Sequence, residues 1–431
     1  MENGFKSRYS AIYHNLDFSR HRFKLSLRAL PLLIIFICFS TGFSSEKSEI
    51  RIIRNIHLRD TVHSLIESAK KEILIAQFIL IKDKSGLAVI EHLKRKAKLG
   101  VKIKLIVDGV GAYSDVPFTV KDMRKLTKDG IEVKVFHPKW RNVFKIKKRM
   151  HDKILWVDGK IILGSSSFWD VSFDLYQDEY DVLVKGAIAT SIRNHFFEIW
   201  KSNEVKRIIS DNVKEDVQKK LLLNWSPIDL EEGITSATIE YIHDPVRKKK
   251  KRGSFKKIME LFKSAKKQII IVNPYFLPPK RLRKVFFELS KRNVEIIIYT
   301  NSPETLALEY KMLGVAYGSL RRYLKKCGIT VYENKLNTKM IHSKYFIIDQ
   351  EMIYIGSQNL DYLGANHNTE NGILIKSKIF LSMLIVNIEY LKNRSILSYK
   401  NGERIRKKYR IKNPFKKVWR HVLVFFFKGI L

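Results

Sequence analysis

The chain has 431 residues, 45% of them hydrophobic, with 81 Lys+Arg against 43 Asp+Glu for a formal net charge of +38. That is enough apolar residue for real cores in two ordinary domains or one large duplicated unit, and the charge implies a polyanionic partner, nucleic acid or an anionic membrane. The two cysteines, Cys38 and Cys327, exclude a disulfide framework and a cysteine-based metal site.

Residues 1–28 are polar and basic, with Lys6, Arg8, Arg20, Arg22, Lys24 and Arg28 against Glu2 and Asp17. Ala29 to Phe39 is uncharged and apolar, and small residues follow at Ser40, Gly42, Ser44 and Ser45. The order matches a secretory signal. The apolar run is short for a membrane span, which needs about 20 residues, yet extension to Ser45 leaves an uncleaved anchor open. Residues 1–45 are therefore expected to be a signal peptide or a membrane anchor.

From about residue 50 the pattern is α/β. Residues 73–80 read as a strand, and Gly86 to Lys98 carries Leu87, Ile90 and Leu93 at helical spacing. Residues 100–108 and 130–137 read as further strands, and Asp158-Gly159 ahead of Ile161 signals a hairpin. The same order then returns. Ser68-Ala-Lys-Lys-Glu-Ile-Leu-Ile reappears as Ser264-Ala-Lys-Lys-Gln-Ile-Ile-Ile, the strand at Val101 as Asn293 to Thr300, and Gly130-Ile-Glu-Val as Gly328-Ile-Thr-Val. The expected fold class is α/β: two similar α/β/α-sandwich halves from internal duplication, with the active site at their interface. The expected domains are 50–205 and 256–400. Between them, 206–255 reads as a linker with the basic run Arg247 to Arg252, and 401–431 reads as a tail.

Two stretches carry the chemistry. His342, Lys344 and Asp349 are followed after six residues by Gly356-Ser357-Gln358-Asn359, and Tyr345 to Ile348 reads as a buried strand that puts His342 and Lys344 on one face. His151, Lys153 and Asp158 repeat that spacing, and five residues later comes Gly164-Ser165-Ser166-Ser167. An acid stands 28 positions after each histidine, Glu179 and Glu370. A lone His-x-Lys on a strand is ordinarily a surface pair, but two copies with matched acids and matched strands are not. An imidazole beside a fixed ammonium, with Ser and Asn arriving from a neighbouring strand, suits a phosphate that needs a nucleophile and a counter-charge. A zinc reading of the histidines lacks the usual His/Glu spacings.

The pattern resembles the phospholipase D superfamily, whose HxKxxxxD and GSxN signature occurs twice per active site. The resemblance implies a catalytic set of His151, Lys153, Asp158, Glu179, His342, Lys344, Asp349 and Glu370, with Ser165, Ser167, Ser357 and Asn359 binding the substrate phosphate and no metal or other cofactor. One histidine would attack phosphorus to form a phosphohistidine, and the other would protonate the leaving alcohol and later deprotonate the acceptor. An imidazole suits both tasks because its ordinary pKa, about 6.5, lies near neutrality. Lys153 and Lys344 would hold the non-bridging oxygens, and Glu179 and Glu370 would fix the imidazole tautomers. For Asp158 and Asp349 a structural role is favoured, as an ion pair or turn cap.

Further stretches resemble bacterial cardiolipin synthases of the phospholipase D type: Asn273-Pro-Tyr-Phe-Leu-Pro-Pro279, Gly356 to Asp361, Asn368-Thr-Glu-Asn-Gly372 and Asp181 to Gly186. Departures are Ser167 in place of Asn, the five residues before Gly164, and Tyr362-Leu-Gly364 after Asp361. At the C-terminus Phe415, Val418, Trp419, Val422 and Phe426 share one helical face beside Lys416, Lys417 and Arg420, as in interfacial helices, with docking on the protein the equal alternative. The implied activity is phosphatidyl transfer that makes cardiolipin from phosphatidylglycerol plus a second phospholipid, with phosphatidylethanolamine as the second candidate substrate. Hydrolysis to phosphatidic acid and a phospholipase D-type nuclease stay open as alternatives. The expected partner is an anionic phospholipid membrane in a bacterium and not nucleic acid, with the chain peripheral, N-terminally anchored or exported.

Overall fold

The computed structural model describes residues 46–113, 117–137, 148–173, 176–209, 225–246, 253–302, 320–335 and 338–405, all within the compact unit Ser44–Leu431. The expected leader, the basic run Arg247 to Arg252 and the amphipathic stretch from Phe415 lie outside the described residues.

The first half runs β1 (Glu46–Arg54), α1 (Asn55–Glu67), β2 (Glu72–Gln77), α2 (Lys84–Lys98), β3 (Lys102–Asp108), α3 (Val120–Lys128) and β4 (Ile131–Phe136). It continues with β5 (Ile154–Val157), β6 (Lys160–Gly164), α4 (Asp170–Phe173), β7 (Gln177–Asp178), β8 (Tyr180–Gly186), α5 (Ile188–Trp200) and β9 (Val205–Arg207). The second half repeats the plan from β10 (Thr235–His243) through α6 (Gly253–Ser264), β11 (Gln268–Val272), α7 (Lys280–Lys291), β12 (Glu295–Thr300), α8 (Arg321–Lys326) and β13 (Thr330–Asn334). Then come β14 (Met340–Ile341), β15 (Tyr345–Ile348), β16 (Met352–Gly356), α9 (Tyr362–Asn366), β17 (Asn371–Lys376), α10 (Lys378–Asn393), β18 (Ser395–Lys400) and β19 (Glu403–Arg404).

Among the described residues 17 strands form one sheet, and β7 pairs separately with β14. Within the first half β4, β3 and β2 are parallel, and β5, β6 and β8 follow antiparallel. The second half mirrors this with β13, β12 and β11 parallel, then β15, β16 and β17. The halves join where β1 pairs antiparallel with β10, each also bonded to its own half through β8 or β17. β10 lies in the stretch read from sequence as a linker, so that stretch supplies the seam of the sheet. The reason it escapes notice is its composition: TSATIEYIH alternates polar and apolar residues and lacks a long apolar run.

Period-2 geometry divides the core between the sheet faces. Leu74 and Ala76 of β2 join a cluster that runs on through Ile154 and Phe196 to Val272, Ile347 and Leu384 of the second half. Ile73 and Ile75 point to the other face, into a cluster with Leu58, Leu93, Leu105 and Val133. One apolar core therefore spans both halves and holds their facing loops in a fixed relation. The covering helices carry their own stop and start chemistry. Asp83 caps α2 through the Gly86 N–H at 2.8 Å, and Thr119 with Asp122 forms a capping box on α3.

Candidate active site

Each motif histidine precedes a short strand that opens a hairpin, β5–β6 or β15–β16. The first hairpin closes with the two-residue turn Asp158-Gly159, both at positive φ, between paired Val157 and Lys160. The second has three residues, because Ile348 pairs with Met352. That extra residue is the sixth between Asp349 and Gly356. In both halves the glycine that ends the returning strand is required by close approach. A Cβ on Gly164 would lie 2.6 Å from the Asp181 Cα, and one on Gly356 would lie 2.4 Å from the Asn371 carbonyl oxygen.

Asp158 and Asp349, included with the catalytic set on resemblance, sit at the turn end of these hairpins, opposite the histidines. Asp158 accepts the N–H groups of Lys70, Lys71 and Glu72 at 2.6, 3.1 and 2.8 Å. Asp349 does the same for Lys266, Lys267 and Gln268 at 2.8, 2.7 and 3.0 Å. They tie the repeated Ser-Ala-Lys-Lys turn to the hairpin and so fix where β2 and β11 begin. Each is a cap, with backbone partners in place of an ion pair.

At the other end His151 and His342 lie in extended chain just before β5 and β15, beyond the carboxyl ends of the parallel strands. Each is seated by the opposite half: His151 N–H donates to the Thr369 carbonyl, and His342 N–H to the Asp178 carbonyl, both at 3.0 Å. The carboxylates cross over as well. His151 Nδ1 is 2.8 Å from Glu370 Oε2, and His342 Nδ1 is 2.7 Å from Glu179 Oε1. The acid 28 residues after a histidine therefore serves the other histidine. With Nδ1–H donated to the carboxylate, Nε2 is the basic nitrogen.

Lys344 Nζ lies 3.1 Å from both ring nitrogens of His342 and donates to the His342 carbonyl at 2.7 Å. Lys153 Nζ donates to the His151 carbonyl at 3.0 Å, with Phe78 against both the ammonium and the His151 ring. Its backbone N–H reaches Asn371 Oδ1 across the join at 3.2 Å. Ser165 and Ser357, expected to bind the substrate phosphate, are engaged with protein groups. Ser357 Oγ donates to Glu370 Oε2 at 2.5 Å and accepts from the Asn371 N–H at 3.0 Å. Ser165 Oγ accepts from the Tyr180 N–H and donates to the Tyr180 carbonyl, both at 3.1 Å. The hydroxyl that reaches Glu179 is that of Ser172, which donates to Oε1 at 3.1 Å. Ser167 is buried and precedes the turn into α4. Asn359 is 8% exposed, and its Oδ1 has no hydrogen-bond partner among the described residues.

Burial dominates the electrostatics. It lowers Lys344 to about 7 and Lys153 to about 8, against the pull of Glu179 and Glu370 respectively. It also lowers both histidines, His151 strongly, with the Lys153 and Lys344 charges adding to the effect there. Burial alone would raise Glu179, but the imidazole of His342 and the ammonium of Lys344 hold it at about 2. Glu370 goes the other way, pushed up by burial despite Lys153. The two carboxylates are thus unequal partners.

Sequence reasoning missed several groups. Asp181 is pushed up to about 7 by burial and by Glu179, and it accepts the Ser166 N–H at 3.1 Å. Asp152, buried next to His151, pairs with His195 at 3.0 Å, and Asp178 pairs with Arg394 at 2.9 Å. Asp152 and Asp178 flank motif residues, but their partners lie far along the chain, His195 on α5 and Arg394 just past the end of α10, where spacing offers no signal.

The family model for the cardiolipin synthase, PLD-like domain matches residues 62–200 and 258–392. The chain is 26% identical over 428 residues to a cardiolipin synthase of Clostridium perfringens, covering 92% of this chain and 81% of that one. It is 24% identical over 369 residues to cardiolipin synthase B of Salmonella typhi, covering 80% of each. The solved structure of a phosphatidylserine synthase from Haemophilus influenzae shares the fold at 16% identity, with a TM-score of 0.71 over 89% of this chain and 95% of that one.

Proposed function

Because the chain belongs to the cardiolipin synthase, PLD-like domain family, we propose that it transfers a phosphatidyl group between phospholipids and makes cardiolipin from phosphatidylglycerol. The observation that carries the reading is the crossed pairing of His151 with Glu370 and His342 with Glu179, which makes two half-motifs one site. In the first step His151 Nε2 attacks phosphorus, the bond to the head-group oxygen breaks, and His342, entering as the imidazolium with a proton on Nε2, gives that oxygen its proton. In the second, His342 takes the proton of a glycerol hydroxyl of phosphatidylglycerol. That oxygen attacks phosphorus, the P–N bond breaks, and His151 is free again.

The roles follow from the environments. Glu179 stays ionised under His342 and stabilises the imidazolium that forms when His342 takes a proton. His151, kept uncharged by burial and by neighbouring cations, is the better nucleophile. Lys153 and Lys344 hold the non-bridging oxygens, and Asn359 contributes its side-chain amide. The bilayer surface is the matching partner for a net charge of +38 and for the exposed apolar row Ile379, Met383, Val386 and Tyr390 on α10. Among the described residues no helix is long and apolar enough to cross a membrane.

The test supplies labelled phosphatidylglycerol, with and without phosphatidylethanolamine, to the purified chain and resolves the lipid products. Cardiolipin is expected. Phosphatidic acid as the sole product would make the enzyme a hydrolase, and cleavage of DNA with no lipid product would make it a nuclease.

A further inference from the structure

Apart from the motif histidines, a second cluster of ligand-type side chains lies where the halves meet. His195 and Glu198, three residues apart on α5, face His243 at the end of β10, and one ligand atom of each lies within 4.8 Å of the others. His195 is 2% exposed, and neither its Nδ1 nor that of His243 has a hydrogen-bond partner among the described residues. The two rings have centroids 4.0 Å apart, and His195 Nδ1 is 3.8 Å from Glu198 Oε2, beyond hydrogen-bond reach.

The opposite edges of these groups are already committed. His195 Nε2 lies 3.0 Å from Asp152 Oδ1, and the neutral tautomer with its proton there leaves Nδ1 the lone pair. Glu198 Oε1 accepts the Val246 N–H at 3.2 Å, which leaves Oε2. A carboxylate behind an imidazole is how proteins hold a metal-binding histidine in one tautomer.

We propose that His195 Nδ1, His243 Nδ1 and Glu198 Oε2 bind a divalent transition-metal cation, zinc foremost, that clamps the first half to the second. Two imidazoles and one carboxylate suit such an ion, whereas magnesium and calcium prefer all-oxygen sets. The Glu198 side chain is 36% exposed, which gives the ion an entry path and a water as further ligand. The duplication does not repeat the cluster. Arg54 pairs with Tyr180 as His243 pairs with Asn371, so an arginine stands where the other seam has the histidine. Val386, as far beyond His342 as His195 is beyond His151, takes the place of the helical ligand. The clamp also reaches the active site, because Asp152 accepts from Thr369 Oγ1 as well as from His195. Those two partners of the clamp adjoin His151 and Glu370. The proposal is independent of the lipid chemistry.

The experiment strips the full chain with a chelator, titrates it with zinc chloride by calorimetry, and records the visible spectrum with cobalt chloride. A single equivalent of zinc, a raised melting temperature and cobalt bands of nitrogen–oxygen ligation are expected. Glu198→Gln and His243→Ala should each weaken zinc by at least about tenfold, while melting near the stripped parent's temperature without metal. No binding by the parent, or binding that both variants keep, overturns the proposal and leaves an Asp152–His195–Glu198 ion-pair network.

Discussion

At the scale of single residues, the proposed mechanism makes the lysines one limit on the working pH. Lys344 at about 7 and Lys153 at about 8 are cations only below those values, so the hold on a phosphate weakens as pH rises through them. His151, lowered well below 6.5, stays neutral down to more acid pH, while His342, also lowered, loses its proton as pH rises. On the proposed mechanism kcat/KM therefore falls at low pH as His151 is protonated, and falls as pH rises with loss of the His342 proton and then of the lysine charges at about 7 and about 8. An upper limb near the ordinary lysine range would contradict the burial of these ammonium groups. Lys344→Met should lose about 10²–10³ in kcat. Asp158→Ala is the contrasting case. It removes three backbone contacts and should cost about 1–3 kcal/mol in denaturant melts, with kcat little changed in the folded fraction. A large loss of kcat in folded protein would return Asp158 to the chemistry.

At the scale of elements, the two hairpins do the positioning, and their closing glycines are the sensitive points. Gly356→Ala would press its methyl on the Asn371 carbonyl and the Tyr354 ring system, moving Ser357 off Glu370, and should lower kcat and the melting temperature together. A fully active, equally stable variant would show that the strands can part. The first hairpin was legible in the sequence because Asp158-Gly159 and a short apolar run are local signals, whereas the second, turning through Asp349-Gln350-Glu351, was not. The parallel strands, whose apolar runs are buried on both faces, were legible too, as was the duplication that repeats them. The crossed carboxylates were not legible. Glu179 and Glu370 are each placed by the strand after the hairpin, and spacing alone cannot tell which half's histidine they meet. The bond from Ser357 to Glu370 was hidden for the same reason, since that carboxylate comes from the strand packed alongside. The seam strand β10 was hidden by its mixed composition.

At the scale of the whole molecule, one core and one sheet run through both halves, so the site is a property of the fused pair. A lipid substrate also has to be met at a surface. Sedimentation with phosphatidylglycerol vesicles should weaken as salt shortens the Debye length from about 10 Å at 0.1 M to about 3 Å at 1 M. Val386→Glu on the exposed row of α10 should reduce partitioning by about tenfold, from the lost apolar burial. Partitioning unchanged by either would remove that face from the membrane contact.

The crossed pairing is the centre of the account, and acid-quench trapping of the phosphoenzyme from labelled phospholipid tests it most directly. The parent chain, His342→Asn, Glu179→Gln and Glu370→Gln would be quenched in parallel and the label mapped to its histidine. The account predicts that Glu179→Gln behaves like His342→Asn, with slowed uptake of label that is then held on His151, while Glu370→Gln fails to take up label. If Glu370→Gln, and not Glu179→Gln, behaves like His342→Asn, or if the label sits on His342, the assignment is contradicted.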